Sequence, residues 1–414
     1  MFLRFILVLT FSLSACRAQQ NTPQPAVIKA EERKIAVEEK NVPDTLPVIK
    51  KKSFNFMLLL PVDLSDAFRV DSISPDSFYV NETIDRNIAA GINFYEGALL
   101  AVDSLRKSGY DIKLNIINVP SAEEEQIQIV KKTKYESIDV VFSMLRENSL
   151  QTLSKILFEK NILLVSCATN TGPDVKNNSH AVCVQPAYLT MCKSMGAYSK
   201  DNFKNDQFVI VTGSSEKEEE RGQAFISELE EKVQSSRIRK INFKTGGVKA
   251  LTNSLSLAVT NTLFIPSADE DFVATIFTAL NLLNATYRFR IIGLPSWQYF
   301  ESLDPVVLEK YNTHIFTSEY YSYSSFRTLK FREKFRNHFS AEPGDAAYLA
   351  FDSFMFLGKL LVNNELPTLE NSEYQFDGLR SSYRFFRDKE NDARENQYIN
   401  ILKLEKFKYL KINN

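Results

Sequence analysis

From residue 56 onward the sequence repeats one pattern, a short apolar run followed by an amphipathic stretch, and few architectures accept it. Phe56-Met57-Leu58-Leu59-Leu60-Pro61-Val62 is apolar without alternation and closes beside a proline, as a strand buried on both faces does. Residues 89–107 then place Ala90, Phe94, Ala98, Val102 and Leu105 at helical spacing, and Ser108-Gly109 ends the segment. Strands are expected at 112–119, 138–144 and 162–167. Helices are expected at about 121–134, where Ser121-Ala122-Glu123-Glu124 reads as a capping box, and at 149–160. A second series follows, with strands at 208–213, 239–243, 262–266, 289–294 and 315–318 and helices at 218–234, 250–260 and 270–283. Helices at 326–339 and 345–362 come next, then strands around 383–386 and 396–404 and a short edge at 408–412. Strands that alternate with helices in this way predict α/β architecture, with mostly parallel sheets covered on both faces.

The segment from Phe54 onward, about 360 residues, exceeds what one core usually organises, so two lobes are expected. No fixed-period repeat is present, which argues against a solenoid. The 31 phenylalanines and 17 tyrosines supply aromatic-rich cores. With 50 basic and 51 acidic residues the chain offers nothing to attract a polyanion, and no nucleic acid partner is expected.

The start of the chain has a different character. One Arg4, the apolar run from Phe5 to Phe11 and the small residues before Cys16 have the marks of an export signal, too short to span a bilayer stably. Leu13-Ser14-Ala15-Cys16 resembles the lipobox of bacterial lipoproteins, in which cleavage before the cysteine leaves an acylated N-terminal Cys. The resemblance implies a signal peptide at 1–15, lipidation at Cys16 and a lipid membrane as partner, with the chain at the periplasmic face of a bacterial cell envelope. An ordinary secretory signal with an incidental Cys16 is the alternative reading. Residues 16–53 contain Pro23, Pro25, Pro43 and Pro47, no aromatic residue up to Ser53, and mixed charge, so they read as a tether. A coil of this length would reach roughly 35 Å. No later stretch is long and apolar enough to suggest a transmembrane span.

Cys167, Cys183 and Cys192 remain after Cys16 is assigned. Three buried thiols, or a Cys183–Cys192 bridge with one thiol left over, both fit an exported chain. His180, His314 and His338 are scattered without metal-ligand spacing, and no nucleophile-elbow, zinc-protease, P-loop or dinucleotide-binding motif is present. Glu216, Glu218, Glu219 and Glu220 fall at a helix start, where they complement the macrodipole. Neither enzyme chemistry, a cofactor nor a metal is expected.

Three local segments, in order, resemble the type I periplasmic-binding-protein superfamily, which includes leucine/isoleucine/valine-binding proteins and receptor ligand-binding regions. Gly91-Ile92-Asn93-Phe94-Tyr95-Glu96-Gly97-Ala98-Leu99-Leu100-Ala101-Val102-Asp103 is similar to its first helix, and Ile162-Leu163-Leu164-Val165-Ser166-Cys167-Ala168-Thr169-Asn170 to a strand and its ligand loop. Asp345-Ala346-Ala347-Tyr348-Leu349-Ala350-Phe351-Asp352-Ser353 resembles a late helix. The resemblance covers essentially 54–414. It implies two doubly wound, mostly parallel-sheet lobes joined by a three-crossing hinge, with a small-molecule ligand in the cleft between them. Lobe 1 is expected at about 54–187 plus 319–365, and lobe 2 at about 188–318 plus 366–414.

Carried onto this chain, the resemblance implies ligand contacts in the loops at the carboxyl ends of strands, as open parallel sheets favour. In the first lobe these are Arg146, Asn148 and Ser149, then Ala168, Thr169 and Asn170. Arg146 could hold a carboxylate in a bidentate pair, or stand as a surface charge beside an Asn148 or Ser149 helix cap. In the second lobe Ser214 and Glu216 follow a strand where relatives often place an aromatic residue, and none occurs here before Phe225. Tyr320, in Ser318-Glu319-Tyr320-Tyr321 near the return crossing, either lines the cleft or packs in the hinge. Trp297, the only tryptophan, reads first as a packing residue.

The expected function is an envelope-anchored solute-binding lipoprotein that closes on a small polar ligand, an amino acid or a relative, and works with a transporter permease or sensor. The alternative is a non-enzymatic scaffold that uses the same fold to contact an envelope enzyme or other cell-wall proteins.

Overall fold

The computed structural model describes residues 53–62, 86–169, 171–371 and 373–413. Its first sheet is built from β1 (Ser53–Pro61), β2 (Asp111–Val119), β3 (Val140–Ser143), β4 (Leu163–Ser166) and β5 (Ala181–Cys183). These run parallel in the order β2-β1-β3-β4-β5. Along β1, Phe54, Phe56, Leu58 and Leu60 enter one core while Met57 and Leu59 enter the core on the opposite face. This two-sided burial is why the strand reads as an unbroken apolar run. The first face is covered by α1 (Arg86–Lys107), the second by α2 (Glu123–Lys132) and α3 (Glu147–Glu159).

The second sheet repeats the plan with β6 (Gln207–Thr212), β7 (Ile238–Asn242), β8 (Asn261–Phe264), β9 (Phe289–Gly293) and β10 (His314–Thr317), in the order β7-β6-β8-β9-β10. It is flanked by α4 (Tyr188–Asn202), α5 (Glu216–Leu229), α6 (Phe243–Ser254), α7 (Glu270–Leu283) and the short α8 (Pro305–Lys310). Trp297 is buried in this core and donates its Nε1–H to the Ser267 carbonyl at 2.9 Å, so it packs. After β10 the chain returns to the first lobe through α9 (Phe326–Phe339) and α10 (Asp345–Val362). Phe354 of α10 stacks on Phe142 with ring centroids 3.6 Å apart, adding its apolar area to the first core.

A small hairpin, β11 (Phe376–Asp377) with β12 (Ser382–Tyr383), precedes β13 (Phe385–Phe386) and β14 (Arg394–Asn396). β14 pairs parallel to β5, and β13 antiparallel to β14. The chain then joins the second sheet as β15 (Asn400–Glu405) and the edge strand β16 (Lys408–Lys411), both antiparallel. It therefore passes between the two sheets three times, at 184–187, 318–325 and 397–399.

Four expectations are corrected. Residues 385–396 belong to the first sheet, so lobe 1 does not end at 365. Asn396 secures this edge, donating to the Val184 carbonyl at 3.1 Å and accepting from the N–H groups of Arg384 and Tyr398. For the same reason the single strand expected at 396–404 is two strands in different sheets. The helix expected at 250–260 is α6, which starts earlier because Asn242 caps it through the Thr245 N–H and Gly247, at φ 55°, joins its two turns. The capping box at Ser121 does not form. The cap position is Ala122, without a side-chain bond, and Gln126 reaches back to the Pro120 and Ser121 carbonyls instead. Cys167, Cys183 and Cys192 are three free buried thiols, so the bridge alternative is not realised, and burial pushes each up to about 12. Among the described residues no helix is long and apolar enough to cross a membrane. Residues 1–15, Cys16 and the tether up to residue 52 lie outside the described residues.

Candidate functional site

Both sheets share one strand order, and in this order the crevice for a ligand lies at the carboxyl ends of the strands. A cavity of about 320 Å³ opens there. The first lobe contributes Met144 after β3, Thr169 after β4, and Asp345, Ala346 and Leu349 from the start of α10. The second contributes Tyr188 and Met191 of α4, Pro295 after β9 and Thr317 of β10, while Gln185, Pro186, Ser318 and Glu319 come from two of the crossings. A larger groove of about 850 Å³ runs past Leu189, Lys193 and Ala197. At helical spacing these residues lie on the face of α4 opposite Tyr188 and Met191, so this groove is outside the crevice.

Arg380 organises the cavity floor. It sits in the four-residue loop 378–381 of the β11–β12 hairpin, and α10 holds that loop from below. The Asp352 carboxylate accepts the N–H groups of Leu379 and Arg380, both at 2.7 Å, and the Tyr383 hydroxyl at 3.1 Å. Burial pushes Asp352 up to about 6, against those hydrogen bonds, which favour the carboxylate. Gly378 is required here, since a Cβ would lie 2.3 Å from Asp352 Oδ2.

Held this way, the Arg380 side chain is only 4% exposed and engages three separate stretches of chain. Nε and Nη2 form a bidentate pair with Asp345 at 2.7 and 3.0 Å. Nη2 also reaches Glu319 Oε2 at 3.1 Å and Gln185 Oε1 at 3.3 Å. The Arg380 carbonyl accepts the Tyr320 N–H at 2.8 Å. Burial opposes the guanidinium charge, and Asp345 and Glu319 outweigh it, so Arg380 stays protonated. A buried cation that binds both crossings 184–187 and 318–325 and the first turn of α10 fixes the floor about which the lobes are joined.

The residues expected to touch a ligand are distributed unevenly. Thr169 lines the cavity, beside the fully buried Ala168, and Asn170 lies outside the described residues. Beyond Met144, the loop after β3 does not reach it. Arg146 is exposed at the start of α3, Asn148 donates its backbone and side-chain N–H groups to Glu123, and Ser149 is buried with its hydroxyl on the Arg146 carbonyl at 2.7 Å. Ser214 and Glu216 are exposed and outside the lining. Tyr320 is half-buried, packs against the second core and is not part of the cavity lining. The aromatic wall that the loop after β6 lacks is supplied by Tyr188, with Arg221 over its ring at 5.1 Å from the centroid and donating to the Pro266 carbonyl. Sequence reasoning missed Arg380, Gln185 and Tyr188. The Asp377-Gly378 pair between aromatic residues is a hairpin signal that could have located the Arg380 loop.

No protein-family model matches the chain, and no curated protein does. Solved structures do. A protein from Rhodospirillum rubrum, assigned as a branched-chain amino acid ABC transporter, superposes with a TM-score of 0.61 at 11% identity, covering 87% of this chain and 100% of its own. A branched-chain amino acid ABC transporter periplasmic ligand-binding protein from Burkholderia xenovorans gives 0.57 at 12%, over 87% and 95%. The chain has the type I periplasmic-binding-protein fold. An ABC transporter substrate-binding protein from Desulfitobacterium hafniense, in complex with Leu, matches at 0.51 and 13%, over 87% and 100%. At these identities the likeness is one of fold, and the site must be argued from its own residues.

Proposed function

We propose that this chain is a solute-binding protein that closes its two lobes on a small polar ligand, an amino acid or a related solute, and that an acylated Cys16 tethers it to the envelope beside a transporter or sensor. The observation that supports this reading is the cavity at the carboxyl ends of both parallel sheets, floored where two of the three crossings that join the lobes meet. The solved structures of the same fold carry substrate- and ligand-binding names. One observation favours the scaffold reading instead: Arg146, Asn148 and Ser149, where amino-acid contacts were expected, are turned away from the cavity or bonded elsewhere.

A thermal-shift screen of the purified chain against amino acids, peptides, nucleotides and muropeptides separates the two. A ligand at 100 times its dissociation constant adds about 2.7 kcal/mol of stability. A clear shift is expected for at least one solute, and a flat response across the panel favours the scaffold. For the tether, Cys16→Ala is expected to move the protein from the membrane to the soluble fraction. Unchanged membrane retention would remove lipidation from the account.

A further inference from the structure

The cavity lining also carries a charge preference, an inference that rests on the solute-binding reading. Of the residues lining the cavity, only Glu319, Asp345 and Arg380 are charged, two carboxylates against one guanidinium, for a formal sum of −1. Their exposure is unequal. The Arg380 side chain is 4% exposed, whereas those of Glu319 and Asp345 are 36% and 46% exposed. A ligand entering the cleft therefore meets carboxylate oxygens, with the guanidinium behind them. Arg380 commits Nε and Nη2 to Asp345, Glu319 and Gln185, and Nη1 reaches the Ser318 carbonyl at 3.4 Å. Glu319 takes the Ser318 hydroxyl and Arg380 on Oε2, and among the described residues no donor reaches its Oε1.

An aromatic residue stands close by. Tyr299 is 78% exposed in the turn that begins at cavity-lining Pro295. Partial burial and then the fields of Glu319 and Asp345 raise its pKa. Tyr188 already carries Arg221 on its ring, so the cleft binds a cation by this chemistry within its own structure. A carboxylate on a ligand, by contrast, would face Glu319 and Asp345 across a small cavity.

We propose that the cleft selects a small organic cation, seating its ammonium group against Glu319 and Asp345 and covering it with Tyr299 on closure. Isothermal titration of the full chain, purified in detergent, with putrescine, lysine, leucine and glutamate tests this. Putrescine and lysine are expected to bind, leucine at least about tenfold more weakly, and glutamate not at all. Glu319→Gln should weaken putrescine and lysine about tenfold to a hundredfold, the range of a charge-assisted hydrogen bond. Tyr299→Ala, at an exposed position that leaves the core intact, should weaken them about threefold to tenfold. It decides the matter should Glu319→Gln fail to fold. Binding of leucine or glutamate in preference to the amines overturns the charge preference and leaves the solute-binding reading standing. Amine affinity unchanged in Tyr299→Ala or in folded Glu319→Gln also overturns it. No heat of binding from any of the four overturns the preference, and a flat thermal-shift panel besides would take the solute-binding reading with it.

Discussion

At the residue scale, buried charge is confined to a few places where the backbone or an opposite charge meets it. Asp352 exists to hold the loop that carries Arg380, and Arg380 holds Asp345 and Glu319. None of this was legible in sequence, because Asp345 and Asp352 read only as parts of a helix and Arg380 as one basic residue among many. What sets these pairs is a 27- or 35-residue separation closed by tertiary contact. His314 shows a buried titratable group of the opposite kind. Desolvation pushes it down to about 4, its Nδ1 lying 2.7 Å from the Asn312 carbonyl oxygen. In the unfolded chain it titrates near the ordinary value of 6.5, so its contribution is complete above that pH and is lost as pH falls toward 4. Asp352, raised to about 6, acts in the other sense, adding stability as pH falls from about 6 toward the ordinary aspartate value of 3.8. The two slopes oppose each other between roughly pH 4 and 6. Replacing His314 should unmask Asp352: the melting temperature of His314→Asn, relative to the parent, is expected to rise as pH is lowered from 7 to 4.5. The full effect is at most about 3 kcal/mol. A difference that stays flat across this range would show that His314 titrates alike in both states.

At the element scale, most of the strands and helices could be read, since their apolar periodicity is set by two-sided burial and by single helix faces. The helices at 270–283, 326–339 and 345–362 agree with α7, α9 and α10 to the residue. The misreadings have local causes. Gly246-Gly247 precedes a helical stretch as expected, since Gly247 kinks α6, but a further turn from Phe243 comes before it and the helix stops at Ser254. The segment 396–404 looks like one strand because nothing in its composition marks the step from one sheet to the other. The similar segments at 91–103 and 345–353 turn out to be partners. Gly97 of α1 lies so close to α10 that a Cβ there would be 2.2 Å from the Ala347 carbonyl oxygen. Gly97→Ala must push the two helices apart, and with them the turn of α10 that presents Asp345 to the cavity. A loss of about 1–3 kcal/mol is expected in denaturant unfolding, the usual cost of overpacking. Unchanged stability would mean that the helix pair has slack where it is drawn tight.

At the scale of the whole molecule, two lobes were legible from length and from the alternation of elements, and the three-crossing hinge from a resemblance carried by three short segments. The limits of the lobes were not, because the last crossing is fixed by Asn396 reaching Val184, a contact with no sequence signature. The cavity is small and open, floored by a charged group common to two crossings, and its walls come from different lobes. On the proposed solute-binding reading such a site is completed when the lobes move together, so that ligand binding and compaction would be one event. Small-angle X-ray scattering of the chain, alone and saturated with the solute that most raises its melting temperature, measures that event directly. A fall in radius of gyration is expected on saturation, and a bound solute that leaves the scattering curve unchanged would contradict closure of the lobes on a ligand.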